Sequence, residues 1–441
     1  MHFHKKPAFA VPALLAGLVC ASAAYGADAS DRPVSLSVRF GAEYTDNRDA
    51  IPDHYVRAGV PMDKEDQWSF YIGPTITFQR KIDRQLDFKA SYAPVIRWHD
   101  NVRSGKAKSS VNHAANLFLE YQAAPSLTLT VKDRYWWSGQ KDIWYGDDFT
   151  YDPSRDSRIS DDYYENRLRV SAKNYFSDVF FAKITGSWRV KRYDADEKAR
   201  MSDEDQYGAR LDLMYVASKH LSYGVFADYV NFDRNSDATK MNGYKIDQGV
   251  EYVTTGAQVA LDLEGNKNDI VVAQVGYSHA WYEADQLDDQ DLVGAASLEL
   301  RLFQQRDTRV LAGVRYGRDF SDIYPFSSQE DLAGYVSVTQ YGFDRKFRAT
   351  ASLELRNRHY DLKDDLDPTA YRYGYAESLK AANGGATEYD RDSVYVNLSA
   401  TYEFTPYLAG TAYYSYEKID SDIGTSYTEN IFGVKATVKF F

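Results

Sequence analysis

The residues best suited to chemistry in this chain are cations at every second position. Arg167, Arg169 and Lys173 precede a short turn at Phe176-Ser177-Asp178, and Lys183, Arg189 and Lys191 follow it. Guanidinium groups pair with carboxylates or phosphates in bidentate fashion, so the chemistry on offer is anion binding. Catalysis has no comparable pattern. His54, His99, His113, His220, His279 and His359 sit on separate stretches without triad spacing, and no phosphate-cradling glycine motif is present. The chain reads as a non-enzyme without a cofactor, with a dispersed site at a rim as the catalytic alternative. The acid-rich runs 194–197, 285–291 and 361–367 lack the spacing and glycine of a calcium loop, so no specific metal site is expected. Trp136, Trp137, Trp144, Tyr145, Phe149 and Tyr151 crowd one stretch. Their rings could stack on sugar faces, or pack a loop or an interfacial belt.

The elements that must hold these cations are strands. In 166–193, Leu168, Val170 and Ala172, then Ala182, Ile184, Gly186, Trp188 and Val190, share one phase, and the cations take the other. Period two is the strand period, because successive side chains point to opposite faces. Runs of ten or so residues suit strands that cross a bilayer at a tilt. The same alternation recurs in Val34–Tyr44, Leu127–Tyr135, Tyr207–Tyr215, Val271–Trp281, Val394–Tyr402 and Phe432–Phe440. Connections alternate between long and short, nine against eight, which predicts about 18 strands, with 16 as the alternative. The fold class is therefore all-β: a transmembrane antiparallel up-and-down β-barrel with both termini periplasmic. Pro74 and Pro94 fall inside predicted strands, where a missing donor is a cost. A large soluble all-β protein is the alternative, with the apolar face turned inward.

Composition fits an exported barrel. Lys5 and Lys6 precede an apolar run, Ala8–Cys20, and Ala24-Tyr25-Gly26 suits cleavage, so 1–26 reads as a signal peptide and 27–441 as the barrel domain. A lipoprotein leader ending at Cys20 is the lesser alternative. The single cysteine lies in that leader, which leaves no disulfide chemistry for the remainder. No later apolar run is long enough for a helical span, and too few residues precede the first strand for a plug domain. The 37 tyrosines suit aromatic girdles. A net charge of −12 argues against nucleic acid as a partner.

With the apolar phase turned to lipid, the opposite phase lines the lumen. Its cations are Arg39, Lys89, Arg97, Lys132, Arg134, Arg167, Arg169, Lys173, Lys183, Arg189, Lys191, Arg210, Arg301, Arg315, Arg348, Arg356, Lys435 and Lys439. Half as many carboxylates share that phase: Glu43, Asp87, Glu120, Asp212, Asp228, Asp262, Glu299, Glu354 and Glu403. Negative charge then concentrates in the connections, and the lumen favours anions. These cations could also serve only to pair with acids on adjacent strands.

The first hairpin, SLSVRFGAEYTDNRDAI, and the following strand, IGPTITFQR, resemble the opening of the outer-membrane β-barrel porin type 2 family, with Tyr44-Thr45-Asp46-Asn47 in the place of its acidic-Asn cluster. That resemblance implies a barrel in the outer membrane of a Gram-negative bacterium, linked to exopolysaccharide export or passive sugar passage. Implied partners are outer-membrane lipid and lipopolysaccharide, a polysaccharide or acidic oligosaccharide, and the barrel-insertion machinery through the terminal Phe440-Phe441. The alternatives are a general or oligosaccharide uptake porin and a structural or adhesive barrel with a closed lumen.

Overall fold

The computed structural model describes residues 33–47, 56–57, 60–61, 64, 66–82, 85–100, 108–138, 163–193, 203–235, 247–265, 268–282, 293–320, 328–361, 384–422 and 426–440. The expected leader, the acidic runs (apart from Asp361, which ends a strand) and most of the aromatic cluster at 136–151 lie outside them; only Trp136 and Trp137 of that cluster are described.

In chain order the strands are β1 (Val34–Thr45), β2 (Val56–Arg57), β3 (Val60–Pro61), β4 (Gln67–Ile82), β5 (Leu86–His99), β6 (Ser109–Ala124), β7 (Leu127–Ser138), β8 (Tyr163–Ser177), β9 (Phe180–Tyr193) and β10 (Asp203–Val216). They continue as β11 (Leu221–Asn235), β12 (Asp247–Asp262), β13 (Ile270–Tyr282), β14 (Val293–Leu302), β15 (Thr308–Phe320), β16 (Ser328–Gly342), β17 (Phe347–Asp361), β18 (Glu388–Thr405), β19 (Leu408–Ser421) and β20 (Tyr427–Lys439). Apart from the two-residue strands β2 and β3, which pair with each other in the first long connection, the strands form one 18-stranded antiparallel sheet. Each strand pairs with its successor, and β1 pairs with both β4 and β20, which closes the barrel. Full closure removes the edge strands that would otherwise template aggregation.

The alternation in the sequence survives as two surfaces. Side chains of the apolar phase stay open on the outside: Ile184, Val275 and Tyr277 are about 60% exposed. Exposed rings mark both margins of this surface. Phe176, Phe343, Phe404 and Tyr407 stand at the short turns, and Trp68, Trp98, Trp188 and Trp281 toward the long connections. An apolar belt between two aromatic margins is the surface that lipid requires and water penalises. A polar pair shares this phase on β7 and β8. Asp133 shares the outward phase of Leu129 and Val131, and its Oδ1 accepts a hydrogen bond from Asn166 Nδ2 at 2.9 Å.

The two prolines lie directly opposite each other. β4 and β5 pair at Ile72–Ile96 and again at Ile76–Tyr92, and the ladder skips the rungs between. On their other sides, Pro74 stays in register with Val38 and Pro94 with His113. Both missing donors therefore fall on one interruption of a single ladder, so neither breaks a second one.

The strands run past the apolar belt at the long-connection rim. The long connection expected over 357–392 is shorter, because β17 continues to Asp361 and β18 starts at Glu388. Backbone pairing carries these strands into polar sequence beyond the point where lipid contact demands alternation.

The inside carries its own packing. Tyr71 lies over Gly41, Tyr413 over Gly433 and Tyr335 over Gly313 on neighbouring strands. A Cβ at Gly433 would stand 2.0 Å from the Tyr413 ring, whereas one at Gly186, on the outward phase, would meet nothing within 4 Å. Gly433→Ala is therefore expected to destabilise the barrel by about 1–3 kcal/mol through overpacking, with Gly186→Ala neutral or slightly stabilising. Urea unfolding in detergent micelles measures both.

Candidate functional site: the inward wall

A single-layer barrel hides a side chain from solvent chiefly on its inside, so buried charge identifies the lumenal face. Arg97 is 2% exposed and Glu43 3%. The Arg97 guanidinium donates to Glu43 Oε1 at 2.7 Å, the Tyr413 hydroxyl donates to Glu43 Oε2 at 2.7 Å, and Arg97 stands over the Tyr71 ring at 5.2 Å. This cluster joins β1, β4, β5 and β19 across the closing seam. Farther along the wall, Asp331 on β16 accepts from Arg315 at 2.5 Å and from Arg356 Nε. Buried charge of this kind persists only when paired and hydrogen-bonded.

The register puts the expected lumenal cations on the phase of these buried pairs. Arg39 and Lys435 align with the Gly41 and Glu43 phase of the seam, and Lys439 bonds Glu403 at 3.3 Å. Lys89 stands opposite Phe118. Arg301 bonds Glu299 at 2.7 Å, and Arg348 lies opposite Tyr341. Arg210 bonds Asp212 at 2.9 Å and stands over the Phe226 ring at 4.5 Å.

The densest patch follows β7, β8 and β9. Register sets Arg134 opposite Arg167, and Arg167 opposite Arg189. One rung lower Lys132 faces Arg169, and nearer the turn Lys173 faces Lys183. Like charges directly opposite destabilise a sheet, so strand pairing alone does not select this arrangement. Glu165 relieves part of it: its Oε1 accepts from Arg167 Nε and from Arg189 Nε, the latter at 3.3 Å, and Arg189 also reaches Glu204 at 3.3 Å. Lys132, Arg134 and Arg169 remain exposed although they point inward, which leaves them available to a passing solute.

Two features escaped the sequence. The first is the inward ring set: besides Tyr71 and Phe226, Lys132 stands 5.8 Å from the Phe118 centroid, Lys173 4.0 Å from Phe181 and 4.7 Å from Tyr175, and Arg309 4.8 Å from Tyr341. A signal existed: these rings occupy the polar phase of their strands. The second is apolar burial toward the long-connection rim in two places: Tyr360, Tyr389, Ile419, Tyr427 and Ile431 are buried on β17 to β20, and Phe232, Val250 and Ala280 pack together with Tyr252 on β11 to β13. The inward carboxylates Glu165, Glu204, Asp331 and Glu429 were also absent from the expected set, because they stand near strand ends where the phase is hard to read.

The described histidines are placed singly, and His279 meets the Trp281 ring edge-on with centroids 4.4 Å apart. His99 Nδ1 meets Ser69 Oγ at 2.8 Å, His113 Nδ1 meets Tyr92 OH at 2.6 Å, His220 Nδ1 takes the Asp262 carbonyl at 2.7 Å and His359 Nδ1 meets Asp390 at 2.8 Å. Among the described residues no group of three or more metal-ligating side chains converges.

No family model matches the chain. No curated protein matches it either. Solved structures with a similar course include the siderophore receptor PirA from Acinetobacter baumannii, at 8% identity over 92% of this chain and 80% of that one with a TM-score of 0.46. OccAB4 of the same organism is 12% identical over 94% of this chain and 100% of that one, with a TM-score of 0.42. OpdL of Pseudomonas aeruginosa is 15% identical over 93% and 99%, with a TM-score of 0.39.

Proposed function

We propose that this protein is a channel in the outer membrane of a Gram-negative bacterium, that its lumen favours anions, and that it passes polar or anionic saccharides in exopolysaccharide export. The observation that carries the channel reading is the set of inward cations that stay open to solvent, Lys132, Arg134 and Arg169, in a barrel of a size that leaves an aqueous passage. Cations fixed on a low-dielectric wall lower the electrostatic cost of bringing a carboxylate through it. The outward belt supports lipid as the surrounding medium, and Phe440, 53% exposed beside Leu36, supports a role for the C-terminus in recognition by the insertion machinery. No step of bond making is needed.

Export rests on the resemblance of the first hairpin and not on the wall, and uptake of oligosaccharides would use the same cations. Reversal potentials in planar bilayers under a salt gradient test the channel. Anion permeability above cation permeability is expected. Cation preference, or no conductance at all, would overturn the proposal. Flux of labelled acidic polysaccharide from cells with and without the protein then separates export from uptake.

A further inference from the structure

We infer that the wall of β6 to β9 nearest the short turns is a binding site for a carboxylate-bearing saccharide, met first from the short-turn rim. This deepens the channel reading above and rests on it.

The cations of this wall form two tiers. In the tier toward the long connections, Arg167 and Arg189 share Glu165, Arg189 also meets Glu204, and Lys191 is buried with its Nζ 4.7 Å from the Tyr163 ring. In the tier toward the turns, Lys132, Arg169, Lys173 and Lys183 form no ion pair within 4.0 Å among the described residues. Of the carboxylates near them, Glu120 stands on β6 two residues beyond Phe118, and Asp212 and Asp228 are engaged elsewhere. Asp212 stands directly across from Lys183, yet its Oδ1 takes Arg210 at 2.9 Å and Gln258 at 2.8 Å. Asp228 lies 3.9 Å from the same Arg210. Four cations in two facing pairs, Lys132 with Arg169 and Lys173 with Lys183, therefore repel each other, and no acid among the described residues forms an ion pair with any of them.

A mobile anion offsets that repulsion, and the rings specify which kind. Phe118, Phe181 and Tyr175 lie on the inward face beside Lys132 and Lys173, at 4.0–5.8 Å from centroid to ammonium. Inorganic anions gain nothing from a ring. A sugar acid offers an apolar C–H face to the ring and a carboxylate to the neighbouring cation, so this wall selects it over both phosphate and a neutral sugar. The tier sits between the turns at Pro125-Ser126 and Asp178-Val179, so unpaired charge concentrates toward that rim, while in the tier above it Arg167 and Arg189 are paired and Arg134 stays exposed.

The test is blockade of oriented single channels by tetragalacturonate added to either side, with maltotetraose and inorganic phosphate as comparisons. Tetragalacturonate is expected to block from the short-turn side at a concentration at least about tenfold lower than maltotetraose or phosphate, and the K132Q/R169Q/K183Q variant is expected to lose about tenfold in that affinity, since each partly exposed charge contributes a few-fold. Replacing Phe118 and Phe181 with leucine should weaken tetragalacturonate and leave phosphate unchanged. Equal blockade by phosphate, or from both sides, or in the triple variant, would overturn the site. Equilibrium binding to detergent-solubilised protein gives the same comparison without current. Anion preference without selective blockade would sink this site and leave the channel standing; absent conductance with selective binding would do the reverse.

Discussion

Replacing Glu43 with alanine is expected to cost the barrel about 3–5 kcal/mol, the loss typical of removing one partner from a buried ion pair. Glu43 and Arg97 have side chains only 4% and 2% exposed, and Glu43 holds both Arg97 and the Tyr413 hydroxyl. Without it a guanidinium stays enclosed beside Tyr71 with its nearest carboxylate gone. The position adds to the effect. Glu43 sits on β1, whose pairing with β20 closes the sheet, so a weakened seam opens the one pairing that lacks a connecting turn. The comparison variant is Glu403→Ala, which removes the exposed partner of Lys439 and is expected to cost under about 1 kcal/mol. Urea unfolding in micelles, and the temperature at which the folded band is lost in mild detergent, read both variants. Equal midpoints for the two would refute the assignment of the seam to this cluster.

The second large effect separates the two faces of one strand. Ile184→Arg places a guanidinium on the belt, where Ile184 is 60% exposed, and is expected to cost about 2–4 kcal/mol if that surface meets the bilayer midplane, less toward its margins. Its neighbour Lys183 points to the opposite side, and Lys183→Ile is expected to fold with little loss while shifting ion selectivity toward cations. Assembly into vesicles and the reversal potential of whatever assembles provide the two measurements. If Lys183→Ile fails to assemble while Ile184→Arg inserts normally, the orientation is inverted and the channel with it.

Much of this was legible because a strand writes its two faces into alternate residues. In 166–193 the phase of Leu168, Val170, Ile184 and Trp188 identified the outer surface, and the phase of Arg169 and Lys183 the inner one, before any coordinate was needed. Alternating long and short connections likewise gave the 18 strands and their up-and-down order. The paired prolines were legible only as a difficulty: no local rule says that Pro74 and Pro94 share a rung, since that depends on the register of two strands.

The sequence by itself determined the architecture and the direction of each strand's faces, because period and turn spacing are local properties and a greasy face must leave water. The tertiary structure alone decided which inward charges are neutralised. Arg167 and Arg189 looked equivalent to Arg169, yet Glu165 and Glu204 reach only the first two. Glu43 and Arg97 are 54 residues apart, and Tyr413 is 370 residues from Glu43. Such meetings follow from stagger and closure of the sheet, which sum contributions from every strand and are carried by no short stretch of chain.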